Sequence, residues 1–398
     1  MSGPTPRRLW QFARRRLRLA RYLRAPGDTR VAPQIPAAAL LWALLIGHLL
    51  REWSYHGVEA LVRSPARRAL PVARRFGDDA LAYFTERLDP TPTRAALAGT
   101  VRRAKRNKAF ETSGWIGLAL DGTGAGRCRT APCAFCHPRR DAAAQVRDYL
   151  HHCCVVSVVG TGLTLPVDVE PYPPGDSEYG AGQRLLRRVV RALGRRFADY
   201  VVADGEFATA PFLHVAGELG LHVVARLKGN LPELFAAAAA RFTAQPPTGQ
   251  FTVARDRVEV WDAEDFDPWD TLRWTTVRVL RYRQHKPDGT VVEAYWLTDW
   301  PTRRVGSRAL YEMAKSRWEI ENQGFNDAKT WHGFEHLSHH HANSLVVNWL
   351  LILFALTIER LYRLRYLRRG RHRPRTAIDL VRCLRLSLCA HCALNDTS

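Results

Sequence analysis

Trp115-Ile116-Gly117-Leu118-Ala119-Leu120-Asp121-Gly122 is an unbroken apolar run that ends on a carboxylate and a glycine. A run this short, closed by an Asp-Gly pair, predicts a buried strand and then a turn, with Asp121 at the C-terminal end of the strand. Tyr200-Val201-Val202-Ala203-Asp204-Gly205 repeats the arrangement. Between them, Cys153 to Val159 and Leu163 to Val169 are two more apolar runs, and Gly160-Thr161-Gly162 predicts a tight hairpin joining them. Ala181 to Phe197 then has helical periodicity: Leu185, Leu186, Val189, Val190 and Leu193 share one face, and Arg184, Arg187, Arg188 and Arg191 the other. A helix from Ala210 to Leu219 and a strand from His222 to Leu227 complete the segment.

A third carboxylate answers the first two. Arg317-Trp318-Glu319-Ile320-Glu321-Asn322 lies on a predicted helix that also carries Phe325 and Lys329. Three strands, helix, strand, helix, strand is the element order of an RNase H-like α/β fold: a mixed sheet with flanking helices. Its active carboxylates belong on the first strand, just after the fourth, and on a later helix. Asp121, Asp204 and Glu321 occupy those places. Oxygen ligands of this kind suit Mg²⁺, and carboxylates that bridge two ions serve phosphoryl transfer.

The remaining chain divides around that core. Residues 1–110 predict an all-helical, basic N-terminal domain able to hold DNA, with Arg7 to Arg24 as a basic arm and Ala37 to Val62 as one apolar helix. Residues 111–229 form the first part of the core, and residues 230–303 a β-rich insertion in which Asp288-Gly289 marks a hairpin. Residues 304–360 return to the core with the Glu321 helix, and 361–398 form a basic tail. Trp261 and Trp269 in the insertion could stack on a base, although core packing is the plainer reading.

Composition narrows the function. The net charge is +21, almost all from arginine, whose planar fork suits phosphate, so a polyanionic partner is favoured over generic solubility. Neither apolar run, Ala37 to Leu50 or Leu345 to Ile358, is long enough to predict a membrane span, and a cytoplasmic, nucleoid-associated protein is expected. The eight cysteines form two clusters rather than a disulfide framework. Cys128, Cys133, Cys136 and His152 have the chemistry of a structural zinc site; reduced thiols on a loop and strand are the plainer alternative.

From about residue 115 to 345 the sequence resembles the DDE transposases of bacterial insertion sequences, in particular the insertion-sequence-four-like group marked by a tyrosine–arginine–glutamate–lysine helix. The matching stretches are Leu118-Ala119-Leu120-Asp121-Gly122-Thr123, Val201-Val202-Ala203-Asp204-Gly205-Glu206-Phe207 and Arg317 to Lys329. Their order is as telling as their content: 83 residues from Asp121 to Asp204, then 117 from Asp204 to Glu321 with a β-rich insertion in the longer gap. The resemblance implies catalytic Asp121, Asp204 and Glu321 holding two Mg²⁺ ions, with Mn²⁺ as a substitute. It implies cutting and joining of DNA at terminal inverted repeats, insertion into target DNA, and a homodimer on paired ends. Arg317, Lys329, Tyr311 and Trp318 would contact the DNA.

The chain departs from that pattern twice. Ala314 stands where the family has its tyrosine, with Tyr311 one turn earlier, and Ala328 stands where it has its lysine, with Lys329 one residue later. On a uniform α-helix Lys329 lies about 80° round from Glu321 and Tyr311 on the same side, so both are expected to flank DNA along one edge. Two other functions fit the same residues: a nuclease of this fold that does not join DNA, and a non-catalytic DNA-binding derivative.

Overall fold

The computed structural model describes residues 4–70, 72, 74–110, 114–129, 133–366 and 376–393. Six helices open the chain: α1 (Pro6–Gln11), α2 (Leu19–Arg24), α3 (Ala37–Leu50), α4 (Tyr55–Arg63), α5 (Asp78–Arg87) and α6 (Pro90–Arg106). The sheet-forming part follows as β1 (Gly117–Cys128), β2 (Cys136–Arg140), β3 (Val146–Val159), β4 (Leu165–Pro171), α7 (Glu178–Leu193), β5 (Tyr200–Ala203), α8 (Ala210–Glu218) and β6 (His222–Leu227). Next come α9 (Pro232–Ala244), β7 (Gly249–Val253), β8 (Asp256–Phe266), β9 (Val277–His285) and β10 (Val291–Thr298). The chain closes with α10 (Ser307–Glu319), a π-helical turn (Ile320–Phe325), α11 (Asn326–His332), α12 (Ala342–Tyr366) and α13 (Ala377–Ala393). This is the mixed α/β architecture that the element order predicts.

One mixed sheet of ten strands runs in the order β2-β3-β1-β5-β6-β10-β9-β8-β7, with β4 paired to β3. β1, β5 and β6 are parallel; β3, β4 and the strands from β10 outward are antiparallel to their neighbours. Gly117–Leu120 and all of β5 are buried, the reason both read as unbroken apolar runs instead of alternating ones.

Four expectations change here. β1 does not end at Asp121: it continues to Cys128, because β3 goes on pairing with it from Val155 to Tyr149. Only its ladder with β5 stops at Leu120↔Ala203. The β-rich insertion is not set apart from the core sheet, since β10 pairs antiparallel with β6 from Tyr295↔Leu227 to Thr298↔Val224 and the other three strands follow outward. The basic arm is docked: Leu9, Phe12, Tyr22 and Leu23 are buried, and the helix breaks at Arg18, whose φ is 59°. The predicted helix from 37 to 62 is two helices parted at Arg51, with a φ of 66°. Arginine-rich periodicity hid the first of these apolar stripes, and no glycine or proline announces either break.

A single apolar cluster extends from Leu9 to Leu388, so the N-terminal helices share the core of the sheet domain. At its centre is α12, packed against β4, α3, α5 and α6. By length and composition α12 could cross a membrane, yet its apolar stretch is wholly buried within the fold. The arginines at 368, 369, 371, 373 and 375 in the basic tail lie outside the described residues.

Gly333 terminates α11. Its φ of +69° is left-handed, and the N–H of Phe334 reaches back to the carbonyl of Ala328 at 3.0 Å. A Cβ there would stand 2.5 Å from Trp53 Cγ. Gly333→Ala therefore meets both backbone strain and overlap with an indole, and a loss of about 2 kcal/mol in urea-unfolding free energy is expected.

Candidate active site

Register brings the first two carboxylates together. Leu120 of β1 pairs with Ala203 of β5, so Asp121 and Asp204 stand at equivalent positions just past the end of that parallel ladder. β5 ends there because Asp204 takes the Gly205 N–H on its own carboxylate at 2.7 Å and caps the short helix Gly205–Phe207. The C-terminal edge of parallel strands is where open α/β sheets place ligands.

The π-helical turn that continues α10 supplies the third carboxylate, and α10 positions it. That helix crosses β1, β5 and β6, and Tyr200 fixes its height by a 3.0 Å hydrogen bond between its hydroxyl and that of Ser316. Arg317, which is buried, donates through Nη1 to Asp121 at 3.1 Å and through Nη2 to Glu321 at 2.7 Å. One guanidinium thus spans carboxylates that lie 200 positions apart in the chain.

The charge states of the two aspartates are pushed apart. Burial raises the Asp121 carboxyl to about 7; Arg317 opposes this, while Glu321, Glu178 and Asp204 add to it. Burial also pushes Asp204 up, but the Lys228 ammonium at 2.8 Å, the Gly205 N–H and Arg317 hold it below the ordinary carboxylate range.

The helix through Glu321 is not uniform. Ile320–Phe325 is a π-helical turn, which accommodates one extra residue. Without that residue Lys329 counts as seventh after Glu321, about 20° round rather than about 80°. The one-residue shift of the lysine in sequence is thereby absorbed in the helix. Arg360 of α12 braces the π-turn: Nη2 donates to the carbonyl of Gln323 within it and to Asp327 (2.8 Å), and Nη1 to the carbonyl of Thr164. Lys329 Nζ pairs with Glu335 at 3.0 Å.

Tyr311 does not share that edge. It is buried against Phe251 and Tyr282, and its hydroxyl meets Gln284 at 3.3 Å, because α10 turns this face toward the outer strands. Trp318 is half-buried, edge-on to Trp296 at 5.8 Å between centroids, with Lys315 Nζ 4.7 Å from its ring. Glu319, the other carboxylate on this helix, faces away from the site and accepts from Thr164 Oγ1 and the Gly160 N–H, bracing the β3–β4 turn. Trp261 is buried, its Nε1 donating to the Gln245 carbonyl.

Of the expected zinc ligands, Cys128, Cys133 and Cys136 come together, but His152 does not join them. Adjacent residues of a strand point to opposite faces. His151 therefore meets the thiols, while His152 stacks on Tyr172 at 5.7 Å and packs against His137.

Two residues at the site have no counterpart in the sequence reading. Glu178, in the first turn of α7, lies so close to Gly122 that a Cβ there would stand 2.1 Å from its carboxyl carbon. Burial raises its carboxyl, Glu206 adds to this, and the Tyr172 hydroxyl and the Gly122 N–H oppose it. No periodic signal marks it. Lys228 follows β6, the third parallel strand, so its place on the same edge as Asp121 and Asp204 was available from strand polarity alone.

No curated protein matches the sequence. Among solved structures, one similar chain is the piggyBac transposase in a cryo-EM synaptic complex with hairpin DNA, with 10% identity and a TM-score of 0.44, covering 91% of this chain and 73% of that one. A family model described as "Transposase DDE domain" matches residues 116–358, from the start of β1 into α12, and the chain belongs to that family.

Proposed function

We propose that this transposase cuts and joins transposon-end DNA by metal-dependent phosphoryl transfer, in a cut-and-paste reaction, with Asp121, Asp204 and Glu321 as its catalytic residues. One observation carries the reading: Arg317 touches Asp121 and Glu321 at once, and Asp204 stands one strand away, so three acids from distant segments meet at one edge of the parallel strands. The donor set is all hard oxygen and fits two Mg²⁺ ions, with Mn²⁺ as a substitute. Asp121, Asp204 and Glu321 would hold them. Bound there, the ions supply activation of water and then of a 3′-hydroxyl, and stabilise the leaving 3′ oxygen.

The chain's own residues do the rest. Arg317 stands buried between two carboxylates, where a phosphate of the scissile strand can take the place of one of them. Lys329, brought round by the π-turn, reaches the neighbouring phosphate. The +21 charge favours DNA as a partner; membership of the transposase family is what implies terminal inverted repeats and target DNA, with a homodimer on paired ends in a nucleoid setting. In the test, supercoiled plasmid carrying transposon ends is incubated with Mg²⁺ or Mn²⁺, and a pre-cut 3′ end is offered to target DNA. Nicking and joining are both expected. Nicking without joining reduces the protein to a nuclease, and binding without either leaves a non-catalytic derivative.

A further inference from the structure

Beyond the three carboxylates, we infer that Cys128, Cys133, Cys136 and His151 form a structural zinc site. Cys136 Sγ lies 3.7 Å from Cys128 Sγ and 3.6 Å from Cys133 Sγ. His151 Nε2 lies 3.3 Å from the sulfurs of Cys133 and of Cys136. The sulfurs are much too far apart for a disulfide, which needs about 2.05 Å. Thiolate and imidazole ligands on tetrahedral zinc, with Zn–S near 2.3 Å and Zn–N near 2.0 Å, stand roughly 3.5–3.8 Å from one another, within a few tenths of an ångström of these separations. The ligand atoms of Cys128, Cys136 and His151 are mutually within 4.8 Å.

The surroundings suit a closed structural site. Cys128, Cys136 and His151 are buried, and Trp349 of α12 stands edge-on to the imidazole at 6.4 Å. His151 Nδ1 faces the carbonyl of Gly126 at 3.2 Å, which fixes the tautomer that leaves Nε2 free to bind metal. Four protein ligands leave no position for a catalytic water. The four come from the end of β1, the turn before β2, the first residue of β2 and the middle of β3, so one ion ties together the three-stranded ribbon that extends beyond Asp121. That ribbon abuts the segment following α11: a Cβ on Gly126 would stand 2.7 Å from the Glu335 carbonyl, and the Glu335 carboxylate holds Lys329.

The test is zinc content by mass spectrometry of full-length protein purified without chelator or added zinc. About one zinc per chain is expected in the wild type and in Asp121→Asn, with His152→Ala unchanged and His151→Ala and Cys133→Ser largely depleted. A wild-type chain without zinc overturns the site, as does zinc lost from His152→Ala but kept in His151→Ala. Should the ligand variants fail to fold, wild-type protein exchanged into Co²⁺ decides: intense tetrahedral thiolate–cobalt absorption supports the site, and only a weak octahedral spectrum overturns it.

Discussion

Replacing Asp121 with asparagine should lower plasmid nicking by on the order of 10⁴-fold, the scale seen when a central catalytic group is removed, while leaving the melting temperature unchanged or higher. The two outcomes have one cause. Asp121 is a partly buried carboxylate whose ordinary ionisation is opposed by desolvation, which is what raises it to about 7. Asparagine keeps the shape and removes the charge that is costly to bury, and Arg317 retains Glu321 as a partner. The sign with pH follows. With a folded value near 7 and an unfolded value near 3.8, the metal-free protein holds a proton on Asp121 that the unfolded chain has already lost. This group's contribution to stability therefore falls as pH rises from about 4 toward 7. The melting temperature of Asp121→Asn relative to wild type should climb across that window, and divalent cation should narrow the gap in the wild type alone. A variant that melts well below wild type at pH 8 would mean that Asp121 is a structural acid held by Arg317.

The strands that carry Asp121 and Asp204 were legible because they are buried on both faces: unbroken apolar runs closed by Asp-Gly leave few alternatives, and register then determines that Asp121 and Asp204 are neighbours. The Glu321 helix was legible in its residues but not in its shape. A π-turn leaves the residue pattern of a helix intact and changes only which carbonyl pairs with which N–H, so angles counted at 100° per residue drift by one residue beyond it. Tyr311 was misplaced for a different reason. An aromatic on a helix next to a catalytic acid reads alike whether it faces DNA or the strands of an insertion, and only the continuity of β6 with β10 decides the matter. The choice between His151 and His152 turned on strand phase, which the bulge in β1 between Gly124 and Arg127 obscures.

Arg360→Lys should cost about 1.5–3 kcal/mol in unfolding free energy, the range for losing hydrogen bonds to a charged group. At temperatures where the variant is still folded, it should also slow nicking by up to about 10²-fold, the effect of misplacing a catalytic group by an ångström. Arg360 touches no carboxylate of the catalytic trio. It is buried on α12, and its fork joins three segments: the β3–β4 turn at Thr164, the π-turn at Gln323 and α11 at Asp327. Arg360 is the side-chain donor that holds the Gln323 carbonyl inside the π-turn, and losing such a hydrogen bond to a charged group costs about 1.5–3 kcal/mol. A lysine ammonium on a flexible stem cannot meet all three acceptors in the fixed plane a guanidinium offers. If the turn relaxes to a regular α-helix, the extra residue must be taken up elsewhere, and Glu321 and Lys329 rotate apart. Rate at a fixed temperature below unfolding, measured against metal concentration, separates the two effects. A variant that loses stability but keeps the wild-type rate and metal dependence would show that Arg360 braces the core without setting the position of Glu321.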